Sequence, residues 1–93
     1  MVQFYYSDDN KHKYMAIFDN PYQVVRFGAK GYQDFTEHRD PNRKMLYLKR
    51  HHARENWNDP RSAGALSRWI LWNKPDIDDA IEDYVERFKM YIA

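Results

Sequence analysis

Apolar and polar positions alternate near the start of the chain. Val2, Phe4 and Tyr6 share one side of the run Val2 to Tyr6, which predicts a short strand. Ser7-Asp8-Asp9-Asn10 follows, and side chains of this kind bond their own backbone in turns. A second strand is predicted over Lys13 to Phe18, with Tyr14, Ala16 and Phe18 on one side and Met15 and Ile17 on the other. Asp19-Asn20-Pro21 breaks it, because proline has no N–H for a ladder. Tyr22 to Phe27 reads as a third strand, with β-branched Val24 and Val25 inside. Turns this short join antiparallel neighbours, so the three strands form a meander. Gly28-Ala29-Lys30-Gly31 ends the sheet with a sharp turn, since glycine accepts positive φ.

Helical spacing takes over after the glycines. Tyr32 to Glu37 reads as one helical turn. Asp40-Pro41 is an N-cap followed by proline at the first helical position, and predicts a helix from about Pro41 to Arg54. Met45, Leu48 and His52 share one face of it, with Leu46 and Tyr47 beside them. The stretch Ala63 to Asn73, AGALSRWILWN, has Arg68 as its one charged residue and is apolar on nearly every side. Such a helix is a buried one. Eleven residues are too few to cross a bilayer, which takes about 20. Asp59-Pro60 repeats the cap-plus-proline signal in front of it, and Asn73-Lys74-Pro75 ends it. Trp69 and Trp72 are its main aromatic mass. Asp76 caps a last helix in which Ile77, Ile81, Tyr84, Phe88 and Ile92 recur at helical spacing. The expected fold is α+β: one compact domain over 1–93, a three-stranded antiparallel meander followed by three helices. The buried Trp-containing helix is central, sandwiched between the sheet and the other two.

Composition removes several chemistries. The chain has no cysteine, which excludes disulfides, cysteine-ligated zinc and thiol nucleophiles. Met1 is followed by VQFYYSDDN, without a basic start or a long apolar run, so neither a signal peptide nor a membrane span is expected. The net charge is +1, but it is unevenly spread. Residues 26–54 carry eight Lys or Arg against three Asp or Glu, and residues 75–93 carry two against six. The middle is basic and the end acidic; the acidic helix can lie beside the basic one and cancel much of its field, or dock on a neighbouring copy or another protein.

Candidate chemistry is sparse. His51 and Glu55 are four apart on a predicted helix, with His38 upstream, but no second spaced pair completes a zinc site. His38, Asp40, His51 and Glu55 are of acid–base type, yet their spacing matches no nuclease pattern and Asp40 has a capping role. The glycine turn is too short for a P-loop and lacks its Lys-Ser/Thr ending. No cofactor, metal site or catalytic residue is expected. The strongest signal is the basic stretch 39–54, RDPNRKMLYLKRHHAR. Arg39, Arg43, Lys44, Lys49, Arg50 and Arg54 are candidate contacts for a protein partner or for phosphates. Trp57, in a polar loop, is a candidate anchor, with packing back onto the core as its bland alternative. Asp78, Asp79, Glu82, Asp83 and Glu86 form the candidate acidic face.

An ordered motif string runs through the same residues: Phe27-Gly28, Gly31-Tyr32, Asp34-Phe35-Thr36, His38, Asp40 and Arg43, then Arg50-His51, Trp57, Asp59-Pro60 and Ala63-Gly64. It ends with Ser67-Arg68-Trp69, Leu71-Trp72-Asn73-Lys74-Pro75 and the closing helix. This string resembles a family of short uncharacterised proteins that recurs in nucleocytoplasmic large DNA viruses of algae and protists. The resemblance spans about residues 13–90. The family pattern has Thr or Ser where Asp76 stands, and Asp caps equally well. The resemblance implies a viral origin, with residence in the host cytoplasm or nucleus and in the virion. It supplies no activity. The expected function is therefore a small non-enzymatic viral protein that works by contacts with other viral structural proteins or with copies of itself, as a minor capsid-associated component. The alternative is a DNA- or RNA-binding accessory protein using residues 39–54.

Overall fold

The computed structural model describes residues 1–90 and 92. Strands β1 (Val2–Tyr6), β2 (His12–Phe18) and β3 (Gln23–Ala29) pair antiparallel in the order β1-β2-β3. The register sets Val2 opposite Phe18, Phe4 opposite Ala16, Ala16 opposite Val25 and Tyr14 opposite Phe27. Because side chains alternate across a strand, these residues share one face, and that face meets the helices. Val2, Ala16, Phe18 and Phe27 are fully buried there. Tyr6 keeps the phase of Val2 and Phe4 but lies beyond the core, stacked on Tyr14 and open to solvent.

The helices are α1 (Phe35–His38), α2 (Pro41–His51), α3 (Ala63–Leu66), which continues as a π-helical segment Ser67–Leu71, and α4 (Ile77–Arg87). The fold is α+β, as the alternation and the helical spacing indicate. Asp40 caps α2 by accepting from the Asn42 N–H, with Pro41 in the first turn. Asp76 caps α4 by accepting from the N–H groups of Asp78 and Asp79. Asp34 opens α1 with a reciprocal capping box to Glu37.

The central helix sits against β3 on one side and α4 on the other, and α2 reaches it through a stack of Tyr47 on Trp72. Leu66, Ile70 and Leu71 are its buried residues, with Ala65. Trp69 and Trp72 are half-buried and face different neighbours. Trp69 lies between the guanidinium groups of Arg68 and Arg87, and its Nε1–H donates to the Trp57 carbonyl. These aliphatic residues join Tyr84 from α4 and the buried side chains of the sheet in the core, and Trp69 and Trp72 pack at its margin.

Several boundaries differ from expectation, among them α1, which starts at Phe35 and not at Tyr32. The central helix is capped by Ser62, whose hydroxyl accepts from the Ala65 N–H, and not by Asp59. Asp59 instead accepts from the Arg61 N–H in a tight turn, while the Arg61 guanidinium donates to the carbonyls of Asp19 and Pro21. Helix α2 ends at His51, short of Arg54. Helix α4 ends at Arg87, because Lys89 takes φ +54 and the Met90 N–H turns back to the Val85 carbonyl. Ile92 therefore leaves the helical series and forms a parallel bridge with Val2. Replacing Ser62 by alanine should cost about 0.5–2 kcal/mol. Asp59→Ala should cost less, since it loses a turn bond outside the helix. Urea denaturation of both variants checks the order, and a larger loss at Asp59 would move the helix start upstream.

A basic cleft beside helix α2

The α2 face used for packing is not the one its apolar residues suggest. Tyr47 is the buried residue, Lys44, Leu48 and His51 are half-buried beside it, and Met45 and Leu46 are 69% and 57% exposed. His52 is exposed and meets Trp57 edge-on. The helix turns Lys44, Tyr47 and His51 toward the body, where an aromatic column receives the two rings. His51 stacks on Tyr47 at 4.2 Å, Tyr47 stacks on Trp72 at 4.2 Å and nearly parallel, and His38 follows Trp72 at 5.3 Å. Burial holds the Tyr47 phenol protonated well above its usual range.

A cleft of about 720 Å³ opens between this side of α2 and the sheet. Its floor is Phe27, Gly28, Ala63, Gly64 and Leu71, with the Tyr47–Trp72 stack in its wall. Arg43, Leu46 and Arg50 reach it from successive turns of α2, Lys11 and Lys13 from the start of β2, and Tyr32 from the glycine turn. Two glycines shape the floor. A Cβ on Gly28 would stand 2.7 Å from Leu71 Cδ1, and one on Gly64 would stand 2.9 Å from Glu55 Cδ. Each absence lets a neighbour pass close to the backbone.

The cations around the cleft differ in how they are held. Lys13 binds the buried carboxylate of Asp34 at 2.8 Å and also Glu37. Burial works to lower the Lys13 pKa, but the bonds to Asp34 and Glu37 outweigh it and raise it. The same bond from Lys13 holds Glu37 below the usual carboxylate range. Arg26 forms a two-pronged pair with Asp8. Glu55 accepts from Trp57 Nε1 and pairs with His51 across a turn. Among the described residues, Lys11, Arg43 and Arg50 have no carboxylate within ion-pair distance. Arg43 touches the Gln33 side-chain oxygen alone.

The expected contact residues thus separate. Arg43 and Arg50 face the cleft together. Lys44 points inward, donating to the Asn73 carbonyl at 2.7 Å and lying over the Phe35 ring. Burial first, and then the charges of Arg68 and Lys74, lower its pKa. Arg39 ends α1 in the left-handed region. Lys49 and Arg54 are exposed and outside the cleft lining. Trp57 is half-buried, with Arg68 over its ring and its carbonyl taken by Trp69, so it folds back toward the central helix. On α4, Asp78, Asp79, Glu82 and Glu86 are exposed, whereas Asp83 is half-buried and accepts from Asn73 and Arg87. No ion pair joins α2 and α4 among the described residues, so the acidic helix does not cover the basic one. Nor do three His, Asp or Glu side chains gather there as a metal-binding group. No helix among these residues is long and apolar enough to cross a membrane.

Lys11, Tyr32 and Leu46 are cleft residues that sequence spacing passes over, because they come from three separate elements. Tyr32 carried one local signal: an aromatic residue directly after Gly31 in a turn, where it has nothing local to pack on.

A family model described as a family of unknown function (DUF5754) matches residues 2–51, more than half of the chain, and the chain belongs to that family. The matched residues include the whole sheet, α1 and α2, and so most of the cleft wall. No curated protein and no solved structure matches the chain.

Proposed function

We propose that this DUF5754 member is a small non-enzymatic viral protein that acts through protein contacts, as a minor capsid-associated component of the virion. The viral setting, with residence in the host cytoplasm or nucleus and in the particle, rests on the motif string from Phe27-Gly28 to Lys74-Pro75. The observation that carries the contact reading is the outer side of α2. Met45 and Leu46 are more than half exposed on a regular helix, one turn from Lys49 and Arg50, and no acidic residue of the described chain answers these cations. Large apolar side chains ringed by Arg and Lys suit the centre and rim of a protein interface with an acidic partner. The exposed carboxylates of α4 offer the opposite surface, which also suits contacts between copies. The cations of residues 39–54 point in several directions, so they do not form the continuous row that follows a duplex backbone. For that reason the DNA- or RNA-binding reading of this helix as a whole is the weaker one.

Mass spectrometry of purified virions tests the proposal. The protein should be present at low copy beside the major capsid protein. Met45→Asp combined with Lys49→Glu should leave stability within about 0.5 kcal/mol, as exposed substitutions do, while removing the protein from particles. Absence of the wild-type protein from virions would overturn the virion role, and normal packaging of the double variant would overturn the assignment of the surface.

A further inference from the structure

We infer that the cleft between α2 and the sheet binds a short stretch of single-stranded nucleic acid, with a base against Tyr32 and Leu46 and its phosphates on Lys11, Arg43 and Arg50. This site shares Leu46 and Arg50 with the contact face of α2 but reaches across to Lys11 and Tyr32, and it does not depend on the protein-contact reading. Three observations converge on it. The first is size: a cleft of about 720 Å³ lies within the roughly 300–1,000 Å³ typical of ligand sites. The second is charge. Of the five Lys and Arg side chains at the cleft, Lys13 and Arg26 are neutralised by Asp34, Glu37 and Asp8, whereas Lys11, Arg43 and Arg50 are left without a carboxylate among the described residues. Arg43 and Arg50 are seven residues apart on one helix, hence about 10 Å along its axis, far enough apart to hold separate phosphates. The third is the unsatisfied apolar surface between them. Tyr32 is 75% exposed at the mouth, and Leu46 stands between the two arginines.

A polyglutamate-like peptide would satisfy the cations but offers no flat apolar face to the exposed ring. A duplex presents phosphates but hides its base faces. Unpaired bases offer both, and stacking on aromatic side chains beside a basic groove is how single strands are held without sequence preference.

Fluorescence anisotropy with the full chain decides it, using labelled oligothymidylate and oligouridylate of about ten nucleotides, inside the site size of a small domain. The comparison probes are a duplex of equal length, free UMP and a polyglutamate peptide. Wild type should bind the single strands more tightly than any comparison probe. Its affinity should fall with salt at a log–log slope of about −2, from roughly −0.7 for each phosphate held by three cations. Arg43→Gln with Arg50→Gln should weaken binding at least about tenfold and flatten the slope by roughly 1.4. Tyr32→Ala should weaken it roughly 5- to 150-fold with the slope unchanged. Lys74→Gln, which removes an exposed charge elsewhere, should change neither. All four side chains are exposed, and circular dichroism verifies that the variants fold. Absence of single-strand binding, preference for the duplex, equal binding of polyglutamate, or binding of UMP as tight as that of the strand would each overturn the inference.

Discussion

Tyr84→Ala should lower the unfolding free energy by about 3–5 kcal/mol, the cost of deleting a buried aromatic side chain. Tyr84 is completely buried, edge-on to Phe4 of β1 and packed on Phe88. It therefore joins α4 to the sheet. Its hydroxyl also donates to the Pro60 carbonyl at 2.6 Å, which ties the loop before α3 to the same point. Burial keeps that phenol protonated well above its usual range. The bond can be separated from the ring. Tyr84→Phe keeps the packing and strands the Pro60 carbonyl, so it should cost about 1–3 kcal/mol. Against a total of about 5–15 kcal/mol for a domain, the alanine variant loses a large share of its stability. Chemical denaturation measures both. A loss below about 1 kcal/mol for alanine, the level of an average substitution, would mean that α4 does not dock through this residue.

Gly28→Ala should cost about 2–5 kcal/mol, from two sources that add. Gly28 has φ +79, where an L side chain is strained by about 1–2 kcal/mol. The new methyl would also press on Leu71, which is fully buried and has little room to retreat. Overfilling a packed core costs about 1–3 kcal/mol. Gly31 separates the two effects. It also has positive φ, at +89, but a Cβ there meets nothing within 4 Å. Gly31→Ala should therefore cost the strain alone, about 1–2 kcal/mol. Thermal melts of the pair give the Leu71 contribution by difference. Equal losses would mean that β3 and the central helix lie further apart than described.

The elements legible in the sequence are those whose causes are local. Alternation over Val2–Tyr6 and a proline after Phe18 mark strand limits to within a residue or two. Asp40-Pro41 and Asp76 announce their helices because a cap is a contact between near neighbours. Asp59-Pro60 carries the same local signal and misleads. Ser62, three residues on, also caps, and the clamp of Arg61 on Asp19 and Pro21 holds Asp59 in a turn. That clamp reaches 40 residues back along the chain, beyond any local pattern. The orientation of α2 was hidden for a similar reason. Hydropathy directs Met45 and Leu46 inward, but the partner waiting for α2 is the flat ring of Trp72, which selects Tyr47 and brings Lys44 with it. Of the candidate contacts, Arg43 and Arg50 were legible as cations one face apart from Lys49. Their convergence with Lys11 and Tyr32 depends on how the sheet meets the helices.

The bridge between Val2 and Ile92 bears on how this molecule avoids the wrong kind of assembly. A three-stranded sheet has two edges, and an open edge is a template on which other chains add strands and aggregate. At β1 the edge is met by Ile92 from beyond α4. At β3 the strand carries the charged Arg26 and bends at Gly28, features that discourage strand addition. Both features act against backbone pairing with other chains. On the readings proposed above, partners meet it through side chains, at the helices and the cleft.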